Sequence, residues 1–306
     1  IEGNFDDAQS GVKKIFSDSE FKSELSARGI ELSSANSINW GRLVPQIVYY
    51  VSTYAELVKN KEITCGDEIN VCVPTGNFGN ILAAYYAKEM GVPIKKLICA
   101  SNSNNVLTEF IRTGIYNKNR TFVTTNSPSM DILISSNLER LLYHMSDGDS
   151  ELVASLMRRL NEDGVYEVPD KIKAKLSEVF YAAYCDDKFT LRTISDIERN
   201  YSYVMDTHTA VAQNVYEQYL AQTHDSTKTV IASTASPFKF AGSVVSAIEG
   251  DEAIEGKGEF ELIDMLSGLA EEKPPKALSE LQDKEIRFPD VCAKDDMKAV
   301  VDKFLQ

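Results

Sequence analysis

The sequence predicts an α/β protein whose sheet is at least partly parallel. Residues 68–74 form a β-rich run followed by a Gly/Asn loop, residues 81–90 form a strong helix pattern, and residues 96–100 form a second strand. A strand, a glycine loop, a helix and a strand in this order make a βαβ unit, in which the two strands run parallel. A third strand at residues 229–234 leads into another loop and a helix from about Ala241.

Helical regions surround these strands. Apolar residues recur at three- and four-residue steps over residues 5–28, which predicts one amphipathic helix. A second helix is predicted over residues 37–59, where Pro45 removes one backbone hydrogen bond and predicts a kink. Residues 137–222 are predicted to be mainly helical.

The composition is that of a globular protein and limits the classes of partner. The chain has 306 residues, a length typical of about two domains. It carries 32 basic and 46 acidic residues, so its formal net charge is −14. Nucleic-acid backbones and anionic membranes repel so acidic a chain, and we expect neither as a partner. The five cysteines are scattered and form no CxxC pair, so we expect no metal site and favour a reducing, cytoplasmic location.

The loop at residues 74–80, Pro-Thr-Gly-Asn-Phe-Gly-Asn, joins the end of a strand to the start of a helix. The first N–H groups of a helix are unpaired and lie at the positive end of its dipole. Glycine lets the backbone approach an oxyanion closely, so Gly76 and Gly79 suit a phosphate cradle. The spacing matches neither a Walker A loop nor the dinucleotide fingerprint, and an ordinary turn between strand and helix is the simpler alternative.

Three other patterns provide candidate residues. Arg42, Gln46 and Tyr49 share one face of the predicted helix, which could bind a carboxylate or phosphate; a solvated surface arginine is the alternative. His208 is a candidate acid or base, although a capped helix start explains the same residues. The hydroxyl of Thr234 follows a predicted parallel strand, at the edge where ligands bind in open α/β sheets.

Together and in order, these motifs closely resemble those of threonine synthases of the subgroup found in bacteria and fungi. The matching stretches are GNFDDAQ at 3–9, SANSIN at 34–39 with Arg42 and QIVYY at 46–50, PTGNFGN at 74–80, SMDI at 129–132 with SSNLER at 135–140, HTAVA at 208–212, and TASPFKF at 234–240. Ser236 stands where the family often has His, which puts any role for that side chain in doubt.

The resemblance implies a pyridoxal-phosphate enzyme of the tryptophan-synthase-β fold type (fold type II), with three layers, a mostly parallel sheet and an incomplete N-terminus. The family is a carbon–oxygen lyase acting on phosphates. It converts O-phospho-L-homoserine and water into L-threonine and phosphate, the last step of threonine biosynthesis. A threonine-synthase-like phospho-lyase and a non-catalytic binding module are the alternatives.

The same resemblance implies roles for single residues. Thr234 matches the hydroxyl that hydrogen-bonds the pyridine nitrogen of the cofactor, and a neutral partner leaves that nitrogen unprotonated. The cofactor phosphate is expected at Gly76, Asn77, Phe78, Gly79 and Asn80, and the substrate at Asn36, Ser37, Asn39 and Arg42.

The lysine that forms an imine with the cofactor is expected upstream of this chain, because the family's Phe-Lys-Asp motif does not precede the phosphate loop here. Lys239 belongs to a different motif and is rejected as that lysine. The chain alone is therefore expected to lack a catalytic residue, to be inactive, and to need the N-terminal part of the same protein. Residues 1–33 are predicted to end a smaller domain, residues 34–245 to form the large cofactor-binding domain, and residues 246–306 to form a C-terminal helical tail.

Overall fold

The computed structural model describes residues 1–3 and 5–305, without the side chains of Phe5, Asp6 and Gln9. Asn4, in the motif at 3–9, thus lies outside the described residues. The helices are α1 (Phe5–Ser17), α2 (Ser19–Ala27), α3 (Trp40–Lys59), α4 (Gly79–Glu89), α5 (Val106–Thr113), α6 (Leu138–Met145), α7 (Ser150–Glu162), α8 (Asp170–Val179), α9 (Asp187–Tyr201), α10 (Thr207–Thr223), α11 (Ala241–Glu249), α12 (Glu259–Leu269), α13 (Lys276–Ser279) and α14 (Met297–Phe304). The strands are β1 (Ile69–Pro74), β2 (Ile94–Ser101), β3 (Ile115–Asn117), β4 (Val165–Glu167), β5 (Phe180–Tyr184) and β6 (Thr229–Ile231).

A four-stranded parallel sheet in the order β5-β2-β1-β6 forms the centre of the fold. The predicted βαβ unit is confirmed, with α4 connecting β1 to β2. β3 and β4 pair antiparallel in a separate two-stranded sheet. The last predicted strand is shorter than expected, because regular pairing ends at Ile231 and only the N–H of Ala232 extends it, to the Cys72 carbonyl at 2.9 Å.

Helices cover both faces of the parallel sheet. Alternate residues of β1, such as Val71 and Val73, pack in one apolar cluster with α3, α4 and α5. Cys72 and Ile98 point the other way, into a second cluster with Val211 and its neighbours on α10. Strands that are buried on both faces are mostly apolar, and in β1 every residue is buried and Asn70 is the one polar side chain. The expected three-layer α/β architecture is therefore confirmed.

Two helix boundaries differ from the sequence prediction. The single helix expected over 5–28 is two helices, because the Asp18 carboxylate accepts the N–H of Phe21 at 2.9 Å and caps a new helix. Helix α3 begins at Trp40 rather than 37, since the Asn39 side chain caps it. Residues 137–222 are mainly helical as predicted, but they also contain β4 and β5, and β5 is a strand of the main sheet, paired with β2.

The C-terminal residues pack back onto the rest of the chain. Phe21 and Leu25 of α2 form a small cluster with Val301 and Leu305 near the C-terminus. Helices α11 and α12 share a further apolar cluster with residues of α9 and α10. The domain division at residues 33 and 245 stays a prediction. Within the described part of the chain, no helix has the length and apolar composition needed to cross a membrane.

Candidate active site

The loop between β1 and α4 lies at the carboxyl edge of the sheet. The Thr75 N–H continues the strand pairing by donating to the Ala100 carbonyl at 2.8 Å. Phe78 then adopts a left-handed conformation, with φ of +64°, and turns the chain into α4. No side chain in the described residues caps this helix. Its first N–H groups and the positive end of its dipole therefore form a site suited to an anion.

The two glycines of this loop lie against backbone or against a neighbouring side chain. A Cβ on Gly76 would lie 3.0 Å from the Ser129 carbonyl oxygen and 3.1 Å from the Met130 Cα. A Cβ on Gly79 would lie 2.5 Å from the Ser37 Cβ. Neither position has room for a side chain without a shift of its neighbours. The glycines predicted to admit an anion thus also let the loop pack closely against residues 129–130 and against Ser37.

Residues 135–137 hold the loop carbonyls. The Ser135 hydroxyl donates to the Gly76 carbonyl at 2.8 Å, and the Asn137 side-chain amide donates to the Asn77 carbonyl at 2.8 Å. In a planar trans peptide the N–H points opposite to the carbonyl. The N–H groups of Asn77 and Phe78 are therefore turned away from residues 135–137, on the same loop as the open start of α4.

Asn137 and Arg140 also fix the segment that contains Ser37. The Asn137 amide donates to the Ser37 hydroxyl at 2.8 Å. The Arg140 guanidinium donates to the carbonyls of Ser37 at 2.8 Å and Ile38 at 2.5 Å, and to the Asn137 side-chain oxygen. The motif at 135–140 belongs to the family resemblance, but no role is predicted for these residues from the sequence. The signal that could have indicated one is the polar run at residues 135–137 directly before α6, with Arg140 in the first turn of that helix.

A cleft of about 610 Å³ opens beside the loop, between α1 and residues 33–38. Ala8, Val12 and Phe16 form its apolar wall, and Asn36 and Asn77 line it too. The structure thus brings one residue expected at the substrate and one expected at the cofactor phosphate into the same cleft.

The other residues expected at the substrate have local roles. Ser37 packs on Gly79, and Asn39 caps α3 while its amide donates to the Ser34 carbonyl at 3.1 Å. Arg42 is exposed, and its Nε donates to the Ala35 carbonyl at 3.1 Å. Among the described residues, Ser37, Asn39 and Arg42 do not line the cleft themselves, but Asn39 and Arg42 hold the backbone of Ser34 and Ala35, which do. The two terminal nitrogens of Arg42 are not used in these contacts. The ligand contacts of these residues stay predictions.

Asn80 contacts the neighbouring helix rather than the cleft. Its side-chain oxygen accepts a hydrogen bond from the Tyr50 hydroxyl and so ties α4 to α3. Burial raises the pKa of Tyr50, so the hydroxyl stays protonated and able to donate. A role of Asn80 at an anion would therefore rest on its backbone N–H.

Strand β6 brings Thr234 to the same edge of the sheet. Because Ala232 still pairs with Cys72 of β1, Thr234 lies beyond the strand end at about the level of Thr75, and it is exposed. The hydroxyl of Thr209, at the start of α10, lies 3.4 Å from that of Ser233. The expected hydroxyl and the glycine loop are thus at neighbouring strand ends.

His208 lies in a capped helix start, as the simpler interpretation predicted. Asp206 caps α10 and accepts the N–H of His208 at 2.8 Å and its ring Nδ1 at 3.2 Å. Burial alone would raise the pKa of Asp206, but hydrogen bonds from His208 and Thr209 outweigh it and hold the pKa below its usual value. Asp206, His208 and Thr209 are all buried. Their hydrogen bonds to one another hold the start of α10.

Comparison with known proteins identifies the family. A family model described as "Threonine synthase, C-terminal" matches residues 209–302. Threonine synthase-like 1 of Homo sapiens is 45% identical over 257 residues, which cover 83% of this chain and 34% of the human protein. The threonine synthase of Saccharomyces cerevisiae is 36% identical over 264 residues, covering 82% of this chain and 50% of the yeast protein. The crystal structure of PLP-bound threonine synthase from Brucella melitensis superposes with a TM-score of 0.79 at 34% identity, covering all of this chain and 58% of that one.

The chain belongs to the threonine synthase family. It has the α/β fold of these enzymes, as the resemblance implied. It spans only 34% to 41% of the length of the threonine synthase-like 1 relatives that match it.

The packing at Gly79 predicts a specific stability defect. Gly79→Ala pushes a methyl group into Ser37, and overpacking of this kind costs about 1–3 kcal/mol of unfolding free energy. Gly268→Ala is the matched control, since Gly268 is exposed in helix α12 and has no atom near its Cβ position. This control should be neutral or stabilising by up to about 1 kcal/mol. Urea unfolding measures both, and equal midpoints for the two variants would contradict the packing described.

Proposed function

We propose that this chain forms the cofactor-phosphate and substrate-binding part of a pyridoxal-phosphate-dependent threonine synthase. The reaction is the conversion of O-phospho-L-homoserine and water into L-threonine and phosphate. The observation that carries the proposal is the loop at residues 75–80, where glycines, a turned backbone and an uncapped helix start coincide. Membership of the threonine synthase family, which includes a PLP-bound crystal structure, supports it.

The residues present fit pyridoxal phosphate. The N–H groups of residues 77–80 provide several backbone donors and a helix dipole for the dianionic phosphate. Ser135 and Asn137 occupy the loop carbonyls, so these oxygens do not repel the phosphate. The exposed hydroxyl of Thr234, at the neighbouring strand end, is available for the ring nitrogen.

The bound cofactor supplies an electron-withdrawing ring that makes the C–H bonds near the substrate nitrogen acidic. The chain's own residues orient and bind. The loop N–H groups fix the phosphate end, and the neutral Thr234 hydroxyl, unlike a carboxylate, leaves the ring nitrogen unprotonated. Asn36 and Arg42, with the segment that Ser37 and Asn39 hold in shape, bind the polar groups of the substrate. Arg42 is suited to its phosphate or carboxylate because a guanidinium forms paired hydrogen bonds.

The covalent partner of the cofactor is proposed to come from an N-terminal part of the same protein. Lys239 is exposed and lies 5.8 Å from the centre of the Phe240 ring, and we give it no covalent role. The N-terminal part would dock along the sheet edge formed by β6, which pairs with β1 on one side among the described strands. The exposed apolar residues Val44 and Val48 of α3 offer it a further contact surface. A cytoplasmic location is part of this proposal.

A second candidate is a phospho-lyase that releases phosphate from other phosphorylated amines. The observation in its favour is the higher identity to threonine synthase-like 1, 45%, than to the yeast threonine synthase, 36%. The two candidates share the phosphate loop and differ in the substrate pocket. A non-catalytic binding module is the third alternative, and it predicts cofactor binding without turnover.

An assay of the full-length protein on O-phospho-L-homoserine tests the proposal. We expect threonine and inorganic phosphate in equal amounts, because each turnover replaces one phosphate by one hydroxyl. Phosphate released from other phosphorylated amines, with no threonine formed, would favour the phospho-lyase. Cofactor binding without phosphate release from any of these compounds would favour the binding module.

Substitution of Arg42 tests the substrate side of the cleft. In the full-length enzyme we expect Arg42→Lys to raise KM about tenfold, because lysine keeps the charge but loses paired hydrogen bonds. The kcat value and the cofactor absorbance should change little, since the residue acts on substrate binding. Arg199→Lys, at an exposed arginine of α9, is the control and should leave both constants unchanged. An Arg42→Ala enzyme with unchanged kcat/KM would show that Arg42 is only a surface residue.

A further inference from the structure

A buried carboxylate lies behind the glycine loop. Only 2% of the surface of Asp131 is exposed. Its Oδ1 accepts the side-chain amides of Asn102 at 2.7 Å and Asn104 at 2.9 Å and the hydroxyl of Thr125 at 2.7 Å. Its Oδ2 accepts the N–H of Thr125 at 2.9 Å. A carboxylate with this many donors is held firmly in one position.

The donors tie Asp131 to the carboxyl edge of the sheet. Asn102 and Asn104 directly follow β2, whose end at Ser101 lies beside the end of β1. Asn102 also donates to the Ser127 hydroxyl at 3.0 Å, and Asn104 donates to the Val123 carbonyl at 2.7 Å. The network therefore fastens residues 123–131 to the strand end next to the loop.

The same segment forms the wall against which the loop rests. The Ser129 carbonyl and the Met130 Cα are the backbone atoms that leave no room at Gly76, and they directly precede Asp131. A few residues on, Ser135 and Asn137 bind the loop carbonyls. A displacement of Asp131 would thus move the surface under Gly76 and both carbonyl anchors.

We propose that Asp131 is a positioning residue that holds the glycine loop in the geometry needed to bind the cofactor phosphate. Its carboxylate accepts hydrogen bonds from Asn102, Asn104 and Thr125 rather than from the loop, so it acts through residues 129–137. The proposal rests on the proposed function, because it assumes that the loop binds that phosphate. It predicts an effect on the phosphate end of the cofactor and none on the ring.

Asp131→Asn is the most specific variant, because it removes the charge and replaces one oxygen by an NH₂ group while the size of the side chain hardly changes. Whichever oxygen is replaced, the new NH₂ faces at least one N–H donor, and the negative charge is lost. Thr125→Val is a milder variant that removes a single hydroxyl donor to Asp131. Thr125→Ser keeps that hydroxyl and should behave as the unchanged protein does.

Asp225→Asn is the matched control. Asp225 accepts hydrogen bonds from Asn70, Tyr219, Lys95 and Thr227, in a network of comparable size. It lies near the amino ends of β1 and β2, at the opposite edge of the sheet from the glycine loop. Its substitution should lower stability without altering the choice between ligands.

The test compares two ligands, pyridoxal phosphate and pyridoxal, which lacks the phosphate. Each is titrated into the full-length apoprotein and followed by cofactor absorbance. We expect Asp131→Asn to weaken the binding of pyridoxal phosphate about tenfold or more, as loss of charge-assisted hydrogen bonds predicts. The affinity for pyridoxal should stay within about twofold of that of the unchanged protein. Thr125→Val should change the ratio of the two dissociation constants, that of pyridoxal phosphate to that of pyridoxal, in the same direction by a smaller factor. Asp225→Asn should leave the ratio unchanged.

Three results would overturn the proposal. An unchanged ratio in both Asp131→Asn and Thr125→Val would show that the network does not act on the phosphate end. An equal loss for both ligands would show a general structural role. An unchanged protein that binds the two ligands equally well would contradict the proposed phosphate site itself, which separates that failure from the failure of Asp131 as its positioning residue.

Discussion

The site depends on how closely three chain segments approach one another at the loop between β1 and α4. Gly76 rests on the backbone of residues 129–130, and Gly79 rests on Ser37. The Asn137 side chain bridges the Asn77 carbonyl and the Ser37 hydroxyl. Because these contacts fix the loop carbonyls, they also fix where the N–H groups point. The proposed anion site depends on the direction of those donors.

Several polar side chains around the loop contact other segments of the chain rather than the cleft. Ser37 packs on Gly79, Arg140 holds two carbonyls of residues 37 and 38, and Asp131 binds the segment behind Gly76. Backbone donors fixed during folding need no reordering when a ligand binds, so their hydrogen bonds contribute more fully to affinity. The same arrangement explains why two residues expected to contact substrate, Ser37 and Asn39, have structural contacts.

The local elements could be predicted from the sequence and the long-range contacts could not. The βαβ unit is encoded in neighbouring residues, where a β-rich run, a glycine loop and a helix pattern follow one another. Strand β5 was missed because it begins directly after Val179, the last residue of α8, with no turn residue to mark the change. The packing of Ser37 on Gly79 and the binding of Arg140 to Ser37 join residues far apart in the chain, and no spacing pattern indicates them. The contact of α14 with α2 is equally remote in sequence.

A crystal structure of the full-length protein with pyridoxal phosphate tests the central claim most directly. The account predicts phosphate oxygens within about 2.7–3.2 Å of backbone nitrogens of residues 77–80, with the loop carbonyls still bound by Ser135 and Asn137. A cofactor whose phosphate binds elsewhere, while this loop contacts no anion, would contradict it.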